Sequence, residues 1–127
     1  SFNFDSAAGI IYTVDVTKPK GEKVTITSMA DGTPFSLDKM YKVALNSYRG
    51  NGGGELLTKG SGISQDELKD RILFSTDKDL RYYLMQYIEK KGVIEPHALG
   101  QWKFIPEEWV EPAAKRDYEY LFGKVEK

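Results

Sequence analysis

The 127-residue sequence predicts an α+β (mixed α/β) fold, a small mixed β-sheet packed with helices. Two β-branched, alternating runs lie near the N-terminus, at 10–16 and 23–29. Two segments with helix-start signals follow at 64–91. A further strand-like run, QWKFI at 101–105, comes after the helices, so strands and helices do not alternate regularly.

Residues 10–16 read IIYTVDV, an alternating β-branched strand. The KPKG stretch at 18–21 is a turn, and 23–29 (KVTITSM) puts Val24 and Ile26 on one face and lysine and threonines on the other. The two runs predict a hairpin. Asp31-Gly32 marks the next turn, and YKVALN at 41–46 predicts a third strand. Ser64-Gln65-Asp66-Glu67 is a capping box that starts a short helix running through Ile72. Thr76 is positioned to cap a second helix, on which Leu80, Tyr83, Leu84, Tyr87 and Ile88 fall on one stripe. Lys90 and Lys91 suit its C-terminal end, and Gly92 terminates it. The 101–105 strand ends before Pro106. The tail after Pro112 predicts one amphipathic helix with Tyr118, Leu121 and Phe122 on its apolar side. Trp102, Trp109 and the Tyr82, Tyr83, Tyr87 set read as core aromatics. No internal repeat or low-complexity segment interrupts the chain, which reads as a single domain. The abrupt Ser1-Phe2 start suggests that it is a truncated one.

Composition narrows the function classes. Lys plus Arg total 18 and Asp plus Glu total 19, a balance without general attraction for a nucleic-acid polymer or an anionic membrane. No apolar run approaches the roughly 18 residues that span a bilayer. The chain has no cysteine and one histidine, His97. Zinc, di-metal or triad chemistry needs several imidazoles or a Cys/His set, so a complete hydrolytic centre is not expected within the chain. His97, after Pro96, reads as a structural or exposed loop residue, and Asp66, Glu67 and Asp70 as solvated charge favoured by a helix dipole. Asp15, in a strand, reads as a partner for a nearby lysine.

The segment NSYRGNGGGELLTKGSG at 46–62 is the candidate site. It fails the P-loop pattern, because Lys59 follows Thr58 rather than glycine. It fails the dinucleotide fingerprint, because Glu55 stands at the sixth position after Gly50-Asn51-Gly52. What remains is strand, aromatic, arginine, glycines, helix. Tyr48 at the strand end can stack on a flat ring, and base-aromatic stacking contributes about 1–3 kcal/mol whatever the base. The competing reading is a flexible surface loop. Gly52 and Gly53 serve backbone geometry or close ligand approach. Arg49 reads two ways, as a contact to phosphate or base or as a clamp on loop carbonyls. Asn46, Ser47 and Asn51 read as turn-shaping residues, with base contact the other reading.

Two stretches together, FNFDSAAGIIYTVDVTKPKGEKV at 2–24 and YKVALNSYRGNGG at 41–53, resemble the C-terminal domain of the 5′-nucleotidase family. The nearer branch is that of the bifunctional 2′,3′-cyclic-nucleotide 2′-phosphodiesterase/3′-nucleotidases, with similar NFD…G…Y…DVT.P and NxYRAxGG patterns. The resemblance covers the first 60 residues or so well, and the helix at 76–91 loosely. It implies a substrate-binding domain that grips a nucleotide or nucleoside, with the base held between two aromatic rings. Phe4 and Tyr48 match those rings, and Arg49, Asn51, Gly52, Gly53 and Gly54 complete the implied substrate-binding set. It also implies a separate N-terminal metallophosphoesterase domain that holds two divalent metal ions and performs hydrolysis. No metal or cofactor is then expected in this chain, and the chain alone is not expected to be catalytic.

The 5′-nucleotidase pattern reads GGDG after the second aromatic, with the Asp accepting from ribose hydroxyls. Here that position is Gly54, followed by Glu55. A carboxylate there suits free hydroxyls and repels a phosphate esterified at them. Its loss leans toward a 2′,3′-cyclic or 3′-phosphate substrate, unless Glu55 restores the ribose contact. The resemblance further implies a periplasmic or cell-surface location. Two other classes stay open. One is a non-catalytic interaction module that docks a partner through the tail EEWVEPAAKRDYEYLFG; the other is a stand-alone enzyme.

Overall fold

A computed structural model describes residues 5–123. The chain divides into two compact units, one comprising residues 6–39 and 98 onward, the other Asp5 with residues 40–97. The second is inserted in the chain between strands of the first.

The strand unit contains a three-stranded sheet in the order β2-β1-β3, where β1 is Ile10–Asp15, β2 is Val24–Met29 and β3 is Trp102–Ile105. β1 and β2 form the predicted antiparallel hairpin, with Thr13 opposite Thr25 and Val14 opposite Val24, and a register shift between Ile11 and Tyr12. β3 joins the other edge of β1 in parallel, with Tyr12 opposite Trp102 and Val14 opposite Phe104. The sheet is therefore mixed, as predicted. Tyr12 is the buried centre of this unit, and its ring stacks on Trp102 with centroids 5.9 Å apart. Trp102 meets Phe104 edge-on at 5.1 Å.

Asp15 closes the hairpin through Thr17 rather than a lysine, its Oδ1 accepting from Thr17 N at 2.9 Å and Thr17 Oγ1 at 2.6 Å. Those bonds, with smaller help from Lys18 and Lys23, hold the Asp15 carboxyl below its ordinary range. At the next turn Gly32 takes a left-handed φ of 85°, and Asp31 Oδ1 accepts from Thr33 N.

The other unit is helical among the described residues. It contains α1 (Ser47–Gly50), a 3₁₀ turn (Gly53–Glu55), a π-helical turn (Leu56–Gly60), α2 (Gln65–Asp70) and α3 (Leu80–Lys91). The strand expected at 41–46 is not formed; those residues have no regular secondary structure. A strand is stabilised by pairing, and this unit has no strand among its described residues to pair with. Val43 and Leu45 stay exposed.

The capping box is formed, with Ser64 Oγ accepting from Glu67 N and Glu67 Oε2 accepting from Ser64 N at 3.1 Å. The bond from Ser64 N first, then those involving the Ser64 hydroxyl and Arg71, holds the Glu67 carboxyl below its ordinary range. A carboxylate depressed in the folded state adds stability above its ordinary pKa and loses it as pH falls through the folded value. Ser64→Ala is expected to destabilise α2 by about 1 kcal/mol at neutral pH. Because the backbone bond from residue 64 to Glu67 survives the substitution, the loss of α2 protection on acidification should flatten only slightly; amide exchange of residues 65–70 measures both.

α3 starts at Asp79, not Thr76. Asp79 Oδ1 accepts from Tyr82 N at 3.0 Å, whereas the Thr76 hydroxyl donates to Lys78 O at 2.9 Å. Gly92 ends the helix as expected, its N–H donating to Ile88 O at 2.8 Å. The apolar stripe and tyrosines of α3 are exposed rather than core, because no other element among the described residues packs extensively on this helix.

In the strand unit, α4 runs over Glu107–Phe122 and contains Pro112, so it begins before the proline rather than after it. Proline there leaves one backbone acceptor, Glu108 O, without its helical donor. Trp109, read as core, is 61% exposed, and Tyr118, Leu121 and Phe122 are exposed as well. No helix among the described residues is long and apolar enough to cross a membrane.

Candidate nucleoside-binding site

Asn46 starts the site. Its extended backbone and its Oδ1, which accepts from Arg49 N at 2.8 Å, cap the single turn of α1. Consecutive residues on that turn point in different directions. Tyr48 is 62% exposed, while Arg49 is 7% exposed.

Arg49 is held by a fork. Its Nε lies 2.8 Å from Asp5 Oδ2 and its Nη2 donates to Asp5 Oδ1 at 3.0 Å. Its Nη1 donates to Gly53 O at 3.1 Å, and its guanidinium carbon lies 5.3 Å from the Tyr48 ring centroid. Bidentate Arg-carboxylate pairs are the strong, oriented kind. Of the two readings of Arg49, this geometry matches the clamp on loop carbonyls. Its positive charge is also matched by Asp5, which lowers its attraction for a phosphate.

The glycines divide the work. Gly52 has a φ of 88°, and a Cβ there would lie 2.8 Å from Gln65 Oε1 and 3.3 Å from buried Leu68. It lets the loop pack on α2, to which Asn51 O is joined by a 3.0 Å bond from Gln65 Nε2. Gly53 lies against Tyr48: a Cβ there would come within 2.5 Å of Tyr48 O and 2.6 Å of two ring carbons. Gly54 has a φ of 72°, and Glu55 follows at 60°. The Glu55 carboxylate pairs with Lys59 at 2.6 Å on the exposed surface, a pairing of little strength.

Tyr48, Arg49 and Gly53 are therefore brought together, Asn51 and Gly52 face α2, and Gly54 sits at the left-handed bend. Phe4 lies outside the described residues. Sequence reasoning missed Asp5, which belongs to the NFD stretch. The available signal was an acidic residue in one motif and an arginine in the other. His97 lines a separate hollow of about 310 Å³ with Tyr87, Lys91, Val93, Ile94 and Glu95, which includes none of the loop residues.

Among the described residues no three His, Cys, Asp or Glu side chains group to hold a metal ion. What the loop offers chemically is an exposed ring with a fixed backbone beside it.

Comparison with known proteins bears on the same segment. The model of the family "5′-nucleotidase, C-terminal domain" matches residues 1–59. The chain is 31% identical over 117 residues to the trifunctional nucleotide phosphoesterase protein YfkN of Bacillus subtilis, covering 84% of this chain and 8% of that protein. It is 28% identical over 121 residues to the 2′,3′-cyclic-nucleotide 2′-phosphodiesterase/3′-nucleotidase of Haemophilus influenzae, covering 84% of this chain and 17% of that protein. The chain thus spans a small fraction of the curated relatives it matches. No solved structure matches the chain.

Proposed function

Since residues 1–59 match the model of the 5′-nucleotidase C-terminal domain family, we propose that the chain is the nucleoside-gripping part of a nucleotide phosphohydrolase. The base stacks on Tyr48. The observation that carries this reading is the exposed Tyr48 ring, backed by Gly53 and set beside a guanidinium already matched by Asp5. Such a surface suits the neutral base better than the phosphate. Phe4 is the second ring on the strength of the resemblance, and the proposal rests on Tyr48.

Hydrolysis belongs to a metal-holding domain outside this chain. The chain alone, assayed with Mn²⁺, Zn²⁺ or Co²⁺ and a 3′-nucleotide, should release no phosphate above the blank. Release by this chain would overturn that assignment.

Gly54 supports a substrate phosphorylated at the ribose 2′ or 3′ oxygen. Gly54→Asp, at a φ that aspartate tolerates better than most residues, brings a carboxylate near those oxygens. Two like charges about 4 Å apart in water repel by about 1 kcal/mol. The variant should therefore bind 3′-AMP several-fold more weakly relative to adenosine. Equal changes for both ligands would remove the basis for this selectivity.

A second reading has its own observation. Trp109, Tyr118 and Phe122 on α4 are exposed, as a docking face would require. Under that reading α4 meets a partner, and Trp109→Ala leaves adenosine affinity unchanged. The resemblance also supports a periplasmic or cell-surface parent protein.

A further inference from the structure

We propose that Asp5 is a positioning residue for the Tyr48 platform, acting through Arg49 and Gly53; this rests on the nucleoside-gripping reading above. Four residues form one connected path. Asp5 takes both the Nε and Nη2 sides of the Arg49 fork, at 2.8 and 3.0 Å. The third guanidinium nitrogen, Nη1, reaches Gly53 O at 3.1 Å. Gly53 in turn lies so close to Tyr48 that no Cβ fits between them. The guanidinium also stands 5.3 Å from the Tyr48 centroid.

Asp5 is 44 residues from Arg49 along the chain, so the pair closes a long loop rather than decorating a local turn. Arg49 is nearly buried, whereas the Asp5 side chain is about half exposed. A buried guanidinium without its carboxylate seeks water or another acceptor. Without Asp5, the Arg49 plane loses the two bonds that orient it, its bond to Gly53 O loosens, and the run of glycines holds the ring less firmly. The rotation of Tyr48 is then set by solvent rather than by the loop. An oriented ring has less freedom to lose when a base stacks, which is how preorganisation raises affinity.

The planar fork matters as well as the charge. A lysine at position 49 keeps a cation near Asp5 but cannot serve Asp5 and Gly53 O with one rigid plane. Arg49→Lys should therefore behave more like loss of Asp5 than like the unsubstituted protein.

The experiment compares the ligand-free 127-residue chain with Asp5→Asn, Asp5→Glu and Arg49→Lys by NMR. The readouts are the ring-current shift of the Gly53 α-protons and their cross-relaxation with the Tyr48 ring. Asp79→Ala, which removes the α3 cap, serves as a control of lowered stability that does not touch the path. Asp5→Asn and Arg49→Lys should lose most of the Gly53 shift. Asp5→Glu should retain part of it, and Asp79→Ala all of it. Adenosine affinity should fall about tenfold in Asp5→Asn, the scale expected for losing hydrogen bonds to a charged group. If Asp5→Asn does not fold, Arg49→Lys and Asp5→Glu carry the comparison. An unchanged Gly53 shift in the folded variants overturns the proposal. Because the shift is read without ligand, it decides the matter even if the chain binds no nucleoside, a result that would instead sink the proposed function.

Discussion

Gly53→Ala is expected to cost about 1–3 kcal/mol of stability in the unit of residues 40–97, the range for overpacking a fitted contact. The added methyl would stand 2.5 Å from Tyr48 O and 2.6 Å from two carbons of its ring. The ring can swing aside, but the carbonyl oxygen belongs to the backbone of α1 and moves only if that turn opens. The Gly53 carbonyl would shift at the same time, weakening its bond from Arg49 Nη1. Adenosine affinity should therefore fall together with stability. Urea denaturation followed through the amide signals of residues 40–97, alongside a titration, measures both. Gly52→Ala provides the contrast. Its nearest obstruction is Gln65 Oε1, the end of a flexible side chain, and its cost comes mainly from a φ of 88°. That conformation costs a non-glycine residue roughly 1–2 kcal/mol. Gly52→Ala should leave the Tyr48 ring in place.

Tyr48→Ala is expected to separate binding from folding. The side chain is mostly exposed, so its removal should change stability by no more than about 0.5 kcal/mol. Stacking a base on an aromatic contributes about 1–3 kcal/mol, so adenosine affinity should drop between roughly fivefold and more than a hundredfold. Tyr48→Phe and Tyr48→Trp keep a flat ring and should retain most of the affinity. If Tyr48→Phe fell as far as Tyr48→Ala, the hydroxyl rather than the ring face would be the contact. Isothermal titration of the three variants distinguishes these outcomes.

Much of the strand unit was legible because its signals are local and agree. The alternation at 10–15 and 24–29 matches two strands joined by a short turn, and QWKFI ends at a proline as β3 does. The capping box was legible for the same reason, since both reciprocal bonds lie within four residues. The missing strand at 41–46 shows the limit. Its β-branched and apolar residues satisfy a local pattern, but a strand also needs a neighbour whose presence the pattern does not reveal. Thr76 reads as the cap of the second helix, but the helix starts three residues later, where Asp79 Oδ1 receives the amide of Tyr82, the third helical residue. Pro112 misled for a different reason. A proline reads as a boundary, yet one absent hydrogen bond did not stop a 16-residue helix.

The candidate site divides in the same way. Tyr48 and the glycines were visible as an aromatic with backbone close beside it, and Asn46 as a turn former. Asp5 was not, because an ion pair across 44 residues has no periodicity or spacing to betray it. The burial of Arg49 beside an exposed Tyr48 was equally hidden. Adjacent residues on one turn differ in fate only once the turn is placed against its surroundings.

The most direct test of a nucleoside-gripping domain is a titration of the isotope-labelled chain with adenosine and with 3′-AMP, following the aromatic protons of Tyr48. The account predicts saturable upfield shifts of the Tyr48 ring with both ligands, accompanied by shifts at Gly53. Tyr48 and Gly53 signals that stay in place at saturating ligand, or a response confined to the hollow around His97 and Tyr87, would contradict it.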